Sequence, residues 1–271
     1  MKWITSSLVL LSLGCTVSVS DERAAEPAAG LSFADLELVD LSWSYGEDTL
    51  FWPTAMQKFD LKEVAYGISK GGYFYSAYDF CAPEHGGTHL DAPRHFSENG
   101  WTSEAIPLDR LLTPAVVLDI SAEASADRDY RLAVGDVEAW EAEHGEIPAG
   151  STVYLRTGWG ERWPDAMRYL GDDTVGDATK LHFPSYGEAA ARLLVERGVA
   201  ALGIDTASID YGPSEDFIVH QVVNGANVIG LENVAKLERL PPTGAWTVAL
   251  PMKTDNGSGG PVRILGLVPA G

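Results

Sequence analysis

The segment Cys81–Phe96, CAPEHGGTHLDAPRHF, holds three of the chain's six histidines. Pro83 and Pro93 flank them, and Gly86-Gly87 would weaken any helix between the prolines. An extended backbone is therefore expected. His85, His89, Asp91 and His95 are then spaced by four, two and four residues, and even offsets put all four side chains on one face of a strand. On a helix, Asp91 would turn away from His85 and His89. Two imidazoles and a carboxylate on a shared face suit a divalent transition metal such as Zn²⁺ or Mn²⁺. Three protein ligands leave positions open to water, the arrangement of a catalytic rather than a structural ion. Gly86 and Gly87 let the backbone turn tightly at such an ion. Thr88 is placed to hydrogen-bond locally or to support a ligand. Cys81 and His85 together suggest a nucleophile pair, but Cys81 ends an aromatic strand, where a buried, inert thiol is expected. No GxSxG nucleophile elbow is present.

The elements that must position these residues are short. Strand patterns run over 36–42, 73–80, 115–121, 152–158, 199–205, 246–251 and 262–268. A helix is expected over 134–145, stopped by Gly145, and a stronger one over 185–198. In the second, Ser185 and Glu188 read as a capping box and Gly198 as the stop. That helix feeds the 199–205 strand. The expected class is α+β: a mixed sheet or barrel-like core with helices packed on it, in a single domain. Residues 257–260, GSGG, lack the Lys-Ser/Thr and helix of a phosphate loop and read as an ordinary glycine turn.

The chain has 271 residues, 45% of them hydrophobic, enough for a sizeable core. Acidic residues outnumber basic ones 39 to 19, for a net charge of −20. That excess argues against nucleic acid or an anionic membrane as partner and suits a small-molecule substrate. After Met1-Lys2 an apolar run reaches Cys15, too short to span a bilayer and remain. Residues 1–20 read as a secretory signal, processed either by lipid attachment at Cys15 or by cleavage near Ser20. Residues 21–30, DERAAEPAAG, read as a tether, and residues 31–271 as the globular domain. The mature protein is thus expected outside the cytoplasm, periplasmic or lipid-anchored, with no membrane-spanning segment. Cys15 and Cys81 are the only cysteines, so no intrachain disulfide is expected once Cys15 is lipidated or removed.

HGGTHLDAPRH resembles the H-x-G-T-H-x-D-x-P-x-H signature of the metal-dependent cyclase family, which includes bacterial kynurenine formamidases and isatin hydrolases. The likeness extends from about Val39 over DLSWSYGEDTLFWP, RTGW, GIDTASIDYGPSEDFIVHQVV, VIGLENVAKLERLP and PMKTDNGSGGPVRILGLVP. It implies the family's swivelling β/β/α fold and an amide-hydrolysing enzyme. It implies that His85, His89 and Asp91 hold a metal and that His95 acts in catalysis. It further implies that His220 and Glu232, which match a formamidase pair twelve residues apart, hold a second ion; isatin hydrolases tend to lose that glutamate. Without the resemblance, His220 reads as structural and Glu232 as a helix cap. The family lines its substrate pocket with the region that holds Phe51 and Trp52, and it forms homodimers or homotetramers. The activity expected is hydrolysis of a small arylformamide or cyclic amide by metal-activated water, with one or two Zn²⁺ or Mn²⁺ ions. A lactone or ester hydrolase on the same site, or a metal- or ligand-binding module without turnover, are the alternatives. The retained His95 argues against the latter, which needs no spare base.

Overall fold

A computed structural model describes residues 35–270. The expected signal (1–20), with Cys15, and the tether (21–30) lie outside these residues. The chain runs β1 (Leu36–Asp40), β2 (Asp60–Ile68), β3 (Phe74–Cys81), β4 (His89–Asp91), β5 (Leu112–Asp119), α1 (Ser121–Ala126), β6 (Arg131–Leu132), α2 (Val134–His144), β7 (Thr152–Arg156), α3 (Ala166–Tyr169), β8 (Ser185–Tyr186), α4 (Glu188–Glu196), β9 (Ala201–Ile204), α5 (Ile218–Gly225), β10 (Ile229–Glu232), β11 (Ala245–Pro251) and β12 (Gly259–Pro269).

Eight strands form one mixed sheet in the order β1-β12-β11-β5-β7-β9-β10-β4. The three residues of β4 pair with β10 on one side and with the start of β12 on the other. Seven strands thereby close into a ring, and β1 lies outside it on the far half of β12. β5, β7, β9 and β10 run parallel. Parallel strands are covered on both faces, so their sequences read as nearly continuous apolar runs. Alternation sorts those runs into two layers. Ala115, Val117 and Tyr154 belong to the barrel interior with Leu90, Leu231 and Ile264. Their neighbours Val116, Leu118, Val153 and Leu155 belong to an outer layer with Val137 of α2, Leu194 of α4 and Val223 of α5. Each fully buried side chain of this size contributes about 1.5–3 kcal/mol.

The α+β barrel-like fold is the one expected, and six of the seven expected strands are β1, β5, β7, β9, β11 and β12. The seventh, β3, is a strand but not a barrel strand. Among the described residues it pairs only with β2, in a separate hairpin. Cys81, at the end of that hairpin, is consequently exposed rather than buried. The 134–145 helix forms as α2, closed by Gly145 at φ +92°. The second helix starts later than expected. Ser185 is not its cap, because its backbone pairs in β8 with β6 and its hydroxyl donates to the Tyr186 carbonyl. Gly187 stands at the N-cap instead, and Glu188 pairs with Arg192 one turn along.

Candidate metal centre and active site

The histidine segment is extended only over β4. His85 precedes two glycines with positive φ, +148° at Gly86 and +57° at Gly87, and Pro93–His95 form a 3₁₀ turn. The segment must bend because its centre is fixed between two strands. The bends need glycine. A methyl group on Gly86 would lie 2.1 Å from the Phe51 ring, and one on Gly87 would lie 2.7 Å from the Tyr45 ring. Tyr45 secures the turn by donating to the Gly86 and Thr88 carbonyls. The four residues thus meet through two turns and a short strand, not along one extended face.

Their convergence is tight. His85 Nδ1 lies 2.6 Å from Asp91 Oδ1, and His89 Nε2 lies 3.3 Å from the same oxygen. His220, on the buried face of α5 with Val219 and Val223, brings Nε2 to 3.4 Å from Asp91 Oδ2 and 3.3 Å from Glu232 Oε1. Glu232 ends β10, directly opposite His89 in the ladder, and its Oε2 lies 3.4 Å from His89 Nε2. Glu232 is therefore a strand residue and not a helix cap. Two triads result, His85–His89–Asp91 and Asp91–His220–Glu232, each with ligand atoms within 4.8 Å of one another. Asp91 belongs to both.

Ring orientation is set from behind. His89 Nδ1 lies 2.9 Å from the Gly87 carbonyl, and His220 Nδ1 lies 2.6 Å from Asp210 Oδ2. In the neutral ring a proton held on each Nδ1 would leave Nε2 free to ligate a metal, the usual support for a ligating imidazole. Asp210 also accepts from the backbone N–H groups of Val219 and His220. His85 has the opposite orientation. Its Nε2 meets Ser258 Oγ at 3.0 Å, and Ser258 donates to Glu84. The GSGG turn thus belongs to the site: a methyl group on Gly259 would lie 2.7 Å from His85 Cε1. Thr88 supports no ligand directly. It is wholly buried, accepts from the Trp43 N–H and donates to the Asn233 carbonyl.

The electrostatics fit a cation. Burial by itself lowers the pKa of His89, but the Asp91 and Glu232 carboxylates outweigh it and raise it to about 9. Burial likewise opposes the charge on His220, and Asp210, Asp91 and Glu232 hold its pKa well above the usual imidazole range. Burial alone would raise Asp91, yet the surrounding imidazoles hold it well below the usual carboxylate range. Asp91 Oδ2 is nevertheless buried with no hydrogen-bond partner, a cost of roughly 1–3 kcal/mol for such a group. Borderline nitrogen donors, hard oxygen donors and one buried, unpartnered oxygen are the features that a divalent ion satisfies.

His95 stands beside the triads. Its ring stacks on His85 with centroids 3.7 Å apart and meets His220 edge-on at 5.7 Å. Burial and the neighbouring imidazoles, opposed by Asp91, push its pKa down to about 3, so the ring is uncharged at neutral pH. His85, His89, His95, His220 and Glu232 all border a cavity of ≈ 230 Å³, whose walls include Phe51, Trp52, Phe96 and Phe217. Phe51 and Trp52 therefore stand at the cavity, with Trp52 edge-on to Phe183 and Phe217. Asp210, Ser258 and Glu84 are the site residues that the sequence reading missed. The i, i+10 spacing of Asp210 and His220 carries no periodic signal, and Ser258 is 173 residues from His85.

The pattern of the Cyclase family, described as putative cyclase, matches residues 39–211. An isatin hydrolase from Roseibium aggregatum is 34% identical over 255 residues, 89% of this chain and 95% of that protein. A kynurenine formamidase from Salinibacter ruber is 27% identical over 84% of this chain and 96% of its own. Among solved structures, isatin hydrolase A from Ralstonia solanacearum superimposes with a TM-score of 0.80 at 32% identity, covering 90% of this chain and 99% of that one. The chain belongs to the cyclase family. Like the relatives that share its length and fold, it is a hydrolase.

Proposed function

We propose that the protein hydrolyses a small aromatic amide, a cyclic amide of the isatin type first, to a carboxylate and an amine. The observation that carries this reading is the meeting of four imidazoles and two carboxylates at one side of an aromatic-walled cavity. His85, His89 and Asp91 would hold one ion, Zn²⁺ or Mn²⁺, and Asp91, His220 and Glu232 a second. Such an ion supplies Lewis acidity, activating water and polarising a carbonyl. His95, whose lowered pKa lets it hold a proton only in passing, relays the water's proton to the leaving amide nitrogen. Phe51, Trp52, Phe96 and Phe217 take the ring of the substrate and narrow its access to bulk water. Among the described residues no lysine or arginine lines the cavity, so no dedicated side-chain cation there answers the α-carboxylate of an amino-acid substrate. That favours a neutral bicyclic amide over formylkynurenine. Arylformamides form the second substrate class, supported by the retained His220–Glu232 pair. Assay of Zn²⁺- or Mn²⁺-loaded protein against isatin, N-formylkynurenine, cyclic imides and lactones tests the reading. Cyclic amides should turn over fastest. Turnover of lactones alone would replace the amide assignment with an ester one.

The same proposal includes self-association and export. The β2–β3 hairpin is apolar and exposed: Tyr66, Tyr73, Phe74, Tyr75, Tyr78 and Phe80 are each 43–65% exposed. Side chains alternate along a strand, so Tyr66, Phe74, Tyr78 and Phe80 share one face; at about 200 Å² per aromatic side chain they present roughly 450 Å², over half of the ≈ 800 Å² that one partner buries in a stable complex. A second copy of the chain is the occupant proposed, as a homodimer or homotetramer. Among the described residues no helix is long and apolar enough to cross a membrane. The apolar N-terminal run supports export, with lipid attachment at Cys15 or cleavage near Ser20. Fractionation that recovers a chain starting at Met1 from the cytosol would reverse it.

A further inference from the structure

Acidic residues outnumber basic ones about two to one in this chain, so three arginines gathered in one place need an explanation. Arg128, Arg162 and Arg168 line a single groove of ≈ 280 Å³ with Trp159 and Met167. Of the other described arginines, Arg156, Arg192, Arg197, Arg239 and Arg263 are answered by carboxylates, while Arg110 and Arg131 lie singly over aromatic rings. Among the described residues, no ion pair engages Arg128, Arg162 or Arg168. Glu161 and Asp205 offset part of the charge on Arg162 without pairing with it, and three of the nearby acids are committed to other groups. Asp129 holds His182, Asp165 caps α3 by accepting from the Arg168 backbone N–H, and Asp205 accepts from Thr157, Gly158 and Trp159.

The groove is also built to hold its cations in place. The Arg162 guanidinium lies 3.5 Å from the centroid of the Trp159 ring, and such stacking fixes the plane of its donors. Trp159 is itself buried and anchored, with Nε1 donating to the Tyr169 carbonyl at 2.6 Å. Arg128 Nη2 donates to the His182 carbonyl at 3.2 Å. A methyl group on Gly171, whose φ is +89°, would lie 2.5 Å from that same nitrogen and 2.9 Å from the His182 backbone nitrogen, so glycine lets the chain pass close beside both. The three charges act on one another. Burial comes first, then Arg168 and Arg128, in lowering the pKa of Arg162. Glu161 and Asp205 oppose this repulsion only in part, and an anion in the groove would relieve the remainder.

We propose that Arg128, Arg162 and Arg168 form a binding site for a phosphate-type oxyanion, either free phosphate or a phosphate group carried on a larger molecule. Each guanidinium offers five N–H donors in a planar fork, and such forks pair with two oxygens at once. Three forks exceed what the two oxygens of a carboxylate can accept, and a dianion balances the charge better than a monoanion. The inference stands apart from the amide-hydrolase reading, because none of the three arginines borders the aromatic cavity.

The test is calorimetric titration of the full metal-loaded protein with inorganic phosphate and, separately, with glycerol 1-phosphate, against chloride at matched ionic strength. Arg162 also packs on Trp159, so the variant is Arg128→Gln/Arg168→Gln, which changes two exposed side chains. The wild type should bind one equivalent, and the variant should bind at least tenfold more weakly. Turnover of a neutral amide and the melting temperature without phosphate should match wild type. Binding of both ligands supports the site, and tighter binding of the monoester identifies a carried phosphate as its occupant. Equal affinity of variant and wild type would overturn the proposal by placing the anion at the histidine–carboxylate cluster. Absence of binding above chloride would overturn it outright.

Discussion

Asp91 is the residue on which the site turns, since both triads use it and its buried Oδ2 makes no hydrogen bond among the described residues, with only His220 Nε2 near it at 3.4 Å. Two substitutions separate holding an ion from moving a proton. His89→Ala should lose metal and activity together, and stoichiometric metal in that variant by elemental analysis would remove His89 from the ligand set. His95→Ala should keep most of its metal while kcat falls about 10²–10⁴-fold, the scale of a lost acid–base group. Near-wild-type turnover would move the base elsewhere, with Glu232 next to test. Asp210→Asn should weaken metal binding about 10–100-fold, the usual effect of losing a ligand's supporting carboxylate. A competition assay with a chelating dye reads that change directly, and unchanged affinity would leave Asp210 a purely structural group. His85, His89, Asp91 and His95 could be found from their types and nearness in the chain. Asp210, Ser258 and Glu84 could not, because their partners are brought to them by folding.

Elements show the same division. β5, β7 and β9 were readable because both of their faces are buried and their apolar runs are unbroken. The shape of the histidine segment was not, because its turns answer to the rings of Phe51 and Tyr45, 34 or more residues earlier. Ser185 misled for a related reason: its backbone was claimed by a distant strand before it could cap the helix that follows. The turn after β7 carries a pH signature. Asp205 accepts from the Thr157, Gly158 and Trp159 backbones, yet burial outweighs these bonds and pushes its pKa up to about 6. A carboxyl raised on folding contributes stability below its unfolded pKa near 4, and that contribution is lost as pH rises through about 6. Between pH 4 and 7 the wild type should therefore lose roughly 2 kcal/mol relative to Asp205→Asn. Urea melts at intervals across that window measure the difference. Parallel pH profiles for the two proteins would show that Asp205 is ionised throughout.

At the scale of the whole molecule, the composition excluded partners better than it identified them. A charge of −20 spoke against polyanions in general and gave no hint that three arginines share a groove. The hairpin was only half visible: the aromatic run of β3 read as a strand, but its lack of a place in the barrel depends on the pairing of every other strand. Ile68→Asp/Phe74→Asp changes two residues that face each other in the hairpin and are 72% and 57% exposed. Light scattering should report an oligomer for the wild type and a monomer for this variant, and an unchanged mass would place the interface elsewhere. The barrel itself closes at β4, its shortest ring strand, and β4 carries His89 and Asp91. The ring is thus fastened by a three-residue clasp that is also part of the metal cradle. An ion seated there would act as a rivet across the seam, because parting β4 from β10 would draw Asp91 and His89 away from Glu232 and His220. Chelation would then be felt as mechanical loosening along one line of the barrel, with the amides of β4 and the first residues of β12 the first to gain access to solvent deuterium.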